Sequence, residues 1–185
     1  MIACEIREKN IGGNVAELGV YKGDFSSLIN KLFPEKKLYL FDTFEGFREK
    51  DKILDIENEY SKGIQDFSDT SVDEVMRKMP NKELCVIKKG YFPETTEGIE
   101  STFCFVSIDA DLFKPIYEGL VYFYEKMVWG GYIFVHDYNN DEYTGVKAAV
   151  RRFCEEQGIP YVPLCDTCGT AVICKQSSSC EGWLL

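Results

Sequence analysis

Short apolar runs alternate with amphipathic stretches along most of this chain, and this alternation constrains its fold more than any other feature of the sequence. The apolar runs predict seven strands, at Asn14–Leu18, Lys37–Phe41, Leu84–Lys88, Phe103–Ile108, Gly131–Val135, Tyr161–Leu164 and Ala171–Cys174. The amphipathic stretches predict four helices, at Asp24–Leu32, Ser71–Met79, Pro115–Lys126 and Gly145–Gln157. Strands that alternate with helices form a parallel sheet covered on both faces.

The last two predicted strands depart from that alternation, because only the short turn 165–169 separates them. They are therefore expected to pair as an antiparallel hairpin. The sequence predicts an α/β fold with a Rossmann-like, doubly wound seven-stranded sheet, mostly parallel with a C-terminal antiparallel hairpin. The length of 185 residues suits one domain over 1–185, and a hydrophobic fraction of 45% is sufficient for a sizeable core.

Charge and hydropathy restrict the partners. A net charge of −10 leaves little positive surface for phosphates, so nucleic acid is not expected as a partner. No apolar run reaches the roughly 18 residues of a membrane span, and the charged N-terminus differs from a signal peptide. We expect a soluble, cytoplasmic protein that binds a small molecule; a homo-oligomer is left open.

The segment 47–70 interrupts the alternation, because it is long, highly charged and without a clear apolar period. A loop of this length in a compact domain is usually a lid or a disordered segment. We predict a lid or mobile loop here.

Acidic and glycine residues follow the first two predicted strands. Glu17, Gly19 and Gly23 lie between the first strand and the first helix, where backbone N–H groups are free to face a ligand. Asp42 follows at about the 20-residue distance typical of a carboxylate that binds ribose. Glu17 occupies the position of the first phosphate-binding glycine, and its negative charge would repel phosphate. A nucleoside cofactor that carries an amino group and a sulfonium fits this pattern better than a dinucleotide.

A second acidic group follows the fourth and fifth strands. Asp109 and Asp111 alternate at one strand end and would repel each other without a cation nearby. Asp137 ends the neighbouring strand, so Asp109 and Asp137 can converge on one ion. Oxygen ligands of this kind suit Mg²⁺.

The motif E-x-G-x-x-x-G after the first strand resembles motif I of the class I S-adenosylmethionine-dependent methyltransferases. The segments 41–47 (FDTFEGF), 107–113 (SIDADLF) and 130–138 (GGYIFVHDY) resemble the macrocin O-methyltransferase (TylF-like) family. That family methylates sugar hydroxyls on macrolide and aminocoumarin antibiotics. The resemblance implies an O-methyltransferase that acts on a hydroxyl of a small molecule, such as a sugar or a glycosylated metabolite, with help from a divalent metal.

The resemblance also implies roles for individual positions. The cofactor site would contain Glu17, Gly19, Tyr21, Gly23, Asp42, Thr43, Gly90, Tyr91, Phe92 and Asp109. In that site the motif I residues line the methionine end, the end of the second strand holds the ribose, and 90–92 flanks adenine. The alternative for the two aromatic residues of 90–92 is packing in the core.

The predicted chemistry uses the strand-end carboxylates. Asp111 would accept the proton of the acceptor hydroxyl, and Asp109, His136 and Asp137 would hold the metal, expected to be Mg²⁺. The family has a second aspartate where this chain has His136, and an imidazole ligand would favour Mn²⁺, Fe²⁺ or Zn²⁺. Alternatively, His136 points away from the site or contacts the substrate.

Three further interpretations stay open. Tyr143 and Lys147 match the Y-x-x-x-K motif of short-chain dehydrogenases, for which Asp42 would bind NAD. A zinc-bound interaction module would use four cysteines near the C-terminus, namely Cys165, Cys168, Cys174 and Cys180. The third interpretation is a degenerate member of the fold without activity, because the chain starts close to the first strand, without the N-terminal helices of the antibiotic enzymes.

Overall fold

A seven-stranded sheet forms the centre of the computed structural model, which describes residues 2–177. The strands are β1 (Asn14–Leu18), β2 (Leu38–Asp42), β3 (Cys85–Lys89), β4 (Phe103–Ile108), β5 (Met127–Val135), β6 (Val162–Leu164) and β7 (Thr170–Cys174). Their order is β3-β2-β1-β4-β5-β7-β6, and every pairing among β1 to β5 is parallel. β7 runs antiparallel to both β5 and β6. The predicted fold class is confirmed.

Six helices accompany the sheet: α1 (Ile2–Glu8), α2 (Asp24–Leu32), α3 (Glu49–Glu57), α4 (Val72–Lys78), α5 (Phe113–Lys126) and α6 (Thr144–Gln157). The four predicted helices are confirmed to within two residues at each end. Ser71 caps α4 as its sequence predicts, since its Oγ accepts a hydrogen bond of 3.2 Å from the Glu74 N–H. None of the described helices is long and apolar enough to cross a membrane.

The side chains of the central strands alternate between two cores, one on each face of the sheet. Leu18, Val106 and Ile108 pack in the core that α5 and α6 cover, whereas Val15 and Phe105 pack in the core beneath α1, α2 and α4. Burial on both faces is what a parallel sheet requires, and it explains why these strands are almost continuously apolar. The alternation also places Glu17, between Ala16 and Leu18, on the α2 face.

The strand order reverses between β1 and β4, where β2 lies on one side of β1 and β4 on the other. Loops that leave the carboxyl ends of these two strands diverge to opposite sides and open a crevice. The candidate site residues that follow β1, β2, β4 and β5 all lie at this edge.

The segment 47–70, called the strap below, contains the helix α3, which the sequence did not predict. The reason is that α3 turns two carboxylates inward: Asp51 is 2% exposed and Asp55 fully buried, while Ile53 and Ile56 face solvent. This inverted arrangement has little of the amphipathic pattern by which a surface helix is recognised. The helix α1 was also not predicted, and it precedes the first strand.

Candidate active site

A cavity of about 400 Å³ opens at the carboxyl ends of β1 to β5 and is bounded by the strap. Most of the residues predicted for cofactor binding, catalysis or metal binding line it: Glu17, Gly19, Tyr21, Gly23, Asp42, Thr43, Gly90, Tyr91, Phe92, Asp109, Asp111 and Asp137. Their convergence from five strand ends gives one site rather than several surface features.

The loop after β1 has a backbone conformation that its glycines allow. Gly19 has a φ of +85°, and a Cβ at this position would lie only 2.0 Å from the backbone oxygen of Asp109. Gly23 has a φ of +76° directly before α2. Tyr21 adopts a positive φ of 47° as well, although it has a side chain. β1 and β4 can therefore lie this close only because residue 19 lacks a side chain.

Asp42 is held by backbone donors on two sides. Its Oδ2 accepts the N–H groups of Val20 at 2.7 Å and Tyr21 at 2.8 Å, and its Oδ1 accepts that of Phe44 at 2.7 Å. Two carboxylate oxygens offer about four acceptor positions, so one remains for a ligand hydroxyl. Asp42 thus shapes the glycine loop from the end of β2.

Glu17 lies at the inner end of the cavity and is only 2% exposed. Ser26, in the first turn of α2, donates a hydrogen bond to its Oε2. Burial raises the pKa of Glu17 to about 8. The hydrogen bond from Ser26 lowers this pKa, whereas the charges of Asp109 and Asp42 raise it further. A raised pKa weakens the sequence argument that a negative charge on Glu17 repels phosphate in the free protein.

The segment 90–92 contributes both to the cavity and to the core. The ring of Tyr91 is covered by the guanidinium of Arg48, whose Cζ lies 3.9 Å from the ring centroid, and its hydroxyl donates to Asp51 at 3.2 Å. Phe92 is 4% exposed and stacks on Phe123 in the core. The core-packing alternative is confirmed for Phe92, while one side of both residues forms cavity wall.

Thr43 stabilises the turn that follows β2. Its Oγ1 donates to the backbone oxygen of Gly46 at 2.7 Å and accepts the N–H of Glu45 at 3.2 Å. Residues 43 and 46 both line the cavity, so the turn supports the wall next to Asp42.

Three carboxylates meet at the ends of β4 and β5. One oxygen from each of Asp109, Asp111 and Asp137 lies within 4.8 Å of the others. Asp111 and Asp137 have left-handed backbone conformations, with φ of +57° and +59°. Non-glycine residues adopt this conformation only where the surrounding structure enforces it, as at functional sites.

The crowding of these carboxylates disfavours their charged forms. Burial, and then the charges of Asp109 and Asp137, raise the pKa of Asp111 well above its ordinary value. Asp109 is accessible from the cavity but has protein on most sides, and this partial desolvation raises its pKa. His136 lowers the pKa of Asp109, whereas the charge of Asp137 raises it further. A cation bound between these carboxylates would remove their mutual repulsion.

His136 lies beside this cluster without joining it. Its ring meets that of Phe25 of α2 edge-on, with centroids 5.1 Å apart, and its Nε2 is buried without a hydrogen-bond partner among the described residues. The strand period turns it to the α2 face, as one of the two sequence alternatives proposed. Of the predicted metal ligands, the structure brings together the two aspartates and adds Asp111 to them.

The dehydrogenase motif does not form a catalytic pair. Lys147 Nζ donates to Asn139 at 2.9 Å and lies 5.2 Å from the ring centroid of Tyr138. Burial and nearby carboxylates raise the pKa of Tyr143, whereas catalysis by a tyrosine base needs a lowered one. This interpretation is not supported.

Two cysteines of the suggested zinc module, Cys168 and Cys174, lie at opposite ends of β7. Cys168 lies in the turn before β7, where its backbone oxygen accepts the N–H of Asn139, and Cys174 lies at the other end of β7 beside Tyr132. Cys180 is outside the described residues. Within residues 2–177, the one group of three or more side chains suited to a metal is the aspartate cluster.

Several cavity residues were not predicted, because they come from the strap and the loop after β5. Phe67 contacts the rings of Tyr21 and Phe47, each with centroids 5.2 Å apart, and Gln65 donates to Glu142 at 2.7 Å. Nothing in their local sequence marks them as site residues. The aromatic pair Phe47 and Phe67 is the one signal that could have suggested a packed strap rather than a mobile loop.

Comparison with known proteins agrees with this geometry. The family model described as macrocin O-methyltransferase (TylF) matches residues 1–176. The chain belongs to the macrocin O-methyltransferase family. It is therefore a methyltransferase, and membership of this family supports S-adenosylmethionine as the cofactor. The search of curated proteins found no match.

Solved structures share the fold at low sequence identity. The O-methyltransferase NovP is 19% identical with a TM-score of 0.76, over 95% of this chain and 77% of that one. The calicheamicin methyltransferase CalS11 is 16% identical with a TM-score of 0.70, over 93% and 76%. Cofactor-bound Rv0187 from MTB is 13% identical with a TM-score of 0.63, over 95% and 78%. At these identities the similarity shows a common fold.

Proposed function

We propose that this macrocin O-methyltransferase family member transfers a methyl group from S-adenosylmethionine to a hydroxyl group of a small, sugar-containing molecule, with help from a divalent cation. The observation that carries the proposal is the aspartate cluster, which lies in the same cavity as the glycine loop and Asp42. Two comparisons support a sugar hydroxyl as the acceptor. The matching family model is named for macrocin O-methyltransferase, and one structural neighbour is described as a TDP-rhamnose 3'-O-methyltransferase.

The cavity residues fit the cofactor in shape and charge. Asp42 has an acceptor position left for a ribose hydroxyl, and the glycine loop brings its backbone to the cavity without side chains at 19 and 23. S-adenosylmethionine supplies an activated methyl group on a sulfonium when bound, and the acidic lining is complementary to its positive charge. Tyr91 and the neighbouring backbone would flank the adenine.

The aspartate cluster fits a divalent cation. Asp109, Asp111 and Asp137 supply hard oxygen donors, which are the ligands of Mg²⁺ and Mn²⁺. A cation held there would lower the pKa of hydroxyl groups that bind it. We propose Mg²⁺, with Asp109 and Asp137 as its principal ligands; His136, which was expected as a third ligand, is not among the three side chains whose oxygens lie together.

Asp111 is proposed as the general base. It lies in the cavity beside the two proposed principal cation ligands, and burial raises its pKa, which increases its affinity for the acceptor's proton. It would accept the proton of the acceptor hydroxyl as the oxygen attacks. The remaining contribution of the protein is alignment of donor and acceptor, and exclusion of water by the strap.

The whole chain, 1–185, is proposed to act as one cytoplasmic domain in which the strap is a lid. Gln65 of the strap donates a hydrogen bond to Glu142 in the loop after β5. The backbone N–H of Thr144 donates to the backbone oxygen of Tyr60, also in the strap, at 2.9 Å. These contacts support closure across the mouth of the cavity. Whether it forms a homo-oligomer stays open.

The proposal is tested in two steps. Calorimetric titration with S-adenosylmethionine, and separately with NAD, should give binding for the first ligand alone. Mass spectrometry of a panel of neutral sugars and glycosides should then detect a gain of one methyl group that requires both Mg²⁺ and S-adenosylmethionine. Binding without transfer to any acceptor would favour a degenerate member of the family, and binding of NAD alone would refute the proposal.

A further inference from the structure

We propose that Glu17 carries a proton in the free protein and releases it when S-adenosylmethionine binds, so that cofactor affinity is linked to pH. This inference rests on the proposed function, since it assumes that cofactor. It depends on the surroundings of one buried side chain.

The surroundings of Glu17 favour its neutral form. The residue is 2% exposed, its described hydrogen-bond partner is Ser26, and no described lysine, arginine or histidine forms an ion pair with it. A buried carboxylate without a cation pays a large desolvation penalty and takes up a proton instead. Asp42, by contrast, has three backbone N–H donors for its negative charge.

The charged groups that face Glu17 are of its own sign. Asp42 approaches from the end of β2 and Asp109 from the end of β4, and the charges of both disfavour ionisation of Glu17. From α2 come the neutral Ser26 and the exposed Asp24, which is paired with Lys78 of α4 at 2.8 Å. In β4, Ser107 pairs with Glu17 in register, and its buried Oγ has no partner among the described residues.

The cofactor would reverse this balance. Glu17 lines the cavity, and S-adenosylmethionine carries a sulfonium and an ammonium group against one carboxylate. An opposite charge within about 4–6 Å lowers the pKa of a carboxyl group by roughly 1–3 units. Glu17 would then lose its proton to the buffer and bind the cationic ligand as a carboxylate, with no other bond made or broken.

The size of the effect follows from the pKa of about 8 in the free protein. About nine tenths of Glu17 is then protonated at pH 7, so full ionisation releases about 0.9 proton for each cofactor bound. Cofactor affinity should rise by up to about tenfold per pH unit between pH 6 and 7.5. The rise should end near pH 8, where the α-amino group of the cofactor also loses its proton.

Calorimetry measures the proton directly. S-adenosylmethionine is titrated at pH 7 into metal-free protein in buffers with different ionisation enthalpies, and the slope of the observed heat against that enthalpy is the number of protons released. We expect up to about 0.9 for the unmodified protein, close to zero for Glu17→Gln, and an unchanged value for Asp111→Asn. Asp111 is the matched control, since its pKa is also raised in the same cavity.

The outcomes separate this inference from the proposed function. Binding heat that does not depend on the buffer, or release retained in a folded Glu17→Gln protein, overturns the inference while leaving cofactor binding intact. Absence of binding heat altogether overturns the proposed function and this inference with it. If Glu17→Gln does not fold, Asp111→Asn decides the source: release kept in that variant supports Glu17, and loss of release refutes it.

Discussion

The phenolic hydroxyl of Tyr21 donates a hydrogen bond of 2.7 Å to Asp69, which joins the glycine loop to the strap. Lys22 contacts the same carboxylate at 2.6 Å, and the ring of Tyr21 packs edge-on against Phe67. At its other end, the backbone N–H of Tyr21 is bound by Asp42. One residue of the proposed cofactor loop therefore contacts both the end of β2 and the strap, so the positions of loop and strap are physically coupled.

Tyr21→Phe should loosen the strap without unfolding the protein. The change removes the exposed hydrogen bond to Asp69 and keeps the ring on Phe67, and an exposed hydrogen bond contributes little to global stability. Amide hydrogen exchange in residues 60–70 should become about two- to fivefold faster. Tyr117→Phe is the control, because it removes a hydrogen bond to Glu156 away from the strap. Equal exchange in the two variants would contradict the coupling.

Asp42→Ala should weaken cofactor binding more than Asp42→Asn. Alanine leaves three N–H groups of the loop without their acceptor, whereas asparagine keeps one acceptor oxygen. We expect a loss of affinity of about 100-fold or more for alanine and about tenfold for asparagine, measured by calorimetry, and a lower free energy of unfolding for alanine by about 1–3 kcal/mol. Similar losses of affinity in both variants would mean that Asp42 acts through its negative charge on the ligand rather than by supporting the loop.

Gly19→Ala should disrupt the site through a steric clash. The new Cβ would lie 2.0 Å from the backbone oxygen of Asp109, so β1 and β4 would have to separate. Gly98→Ala is matched to it, because Gly98 also has a positive φ, of 73°, but a Cβ added there would meet no atom within 4 Å. The control should lose about 1 kcal/mol of stability from backbone strain alone. Urea unfolding should show a clearly larger loss for Gly19→Ala, and equal losses would rule out the clash.

Asp55→Asn should stabilise the protein at neutral pH. Burial raises the pKa of Asp55 to about 6, against the Phe113 N–H, which donates to its Oδ1 at 3.1 Å, and with a further contribution from the charge of Asp51. Between the ordinary pKa and 6 the folded state binds more protons than the unfolded state, so stability falls as pH rises through that window and stays lower above it. Asparagine removes this dependence.

The gain for Asp55→Asn should be roughly 1–2 kcal/mol at pH 7.5 after allowance for solvent screening, and close to zero below pH 4. Urea unfolding at both pH values measures it, with Asp73→Asn as the exposed control on α4. The interpretation fails if the difference between the wild type and Asp55→Asn is the same at pH 4 and pH 7.5.

Asp111→Asn should remove catalysis while leaving the cofactor bound. Loss of a general base lowers kcat by about 10²–10⁴-fold, and the amide keeps the shape of the side chain. Initial rates with saturating S-adenosylmethionine and a detected acceptor measure kcat, and calorimetry checks binding. Full activity with normal binding would show that another group accepts the proton.

Local sequence patterns were sufficient for the sheet and for the position of the site. The period of two in the strands and the capping pattern at Ser71 act over a few residues, so they can be read directly from the chain. The carboxyl ends of parallel strands meet at one edge, which is why the sequence was enough to expect Asp42, Asp109 and Asp137 in one cavity. The helix α3 escaped prediction because its buried residues include acids.

The state of each functional group depended on partners distant in the sequence. Asp42 is bound by N–H groups about 20 residues earlier in the chain, and Tyr21 is tied to Asp69 of the strap. Glu17 was expected to carry a negative charge but is buried beside Ser26 with like charges nearby. Residue types and their spacing determined the fold and the chemistry available to this protein. Tertiary packing alone decided which carboxyl groups have raised pKa values and which groups contact them, because desolvation and hydrogen bonding are properties of the folded surroundings.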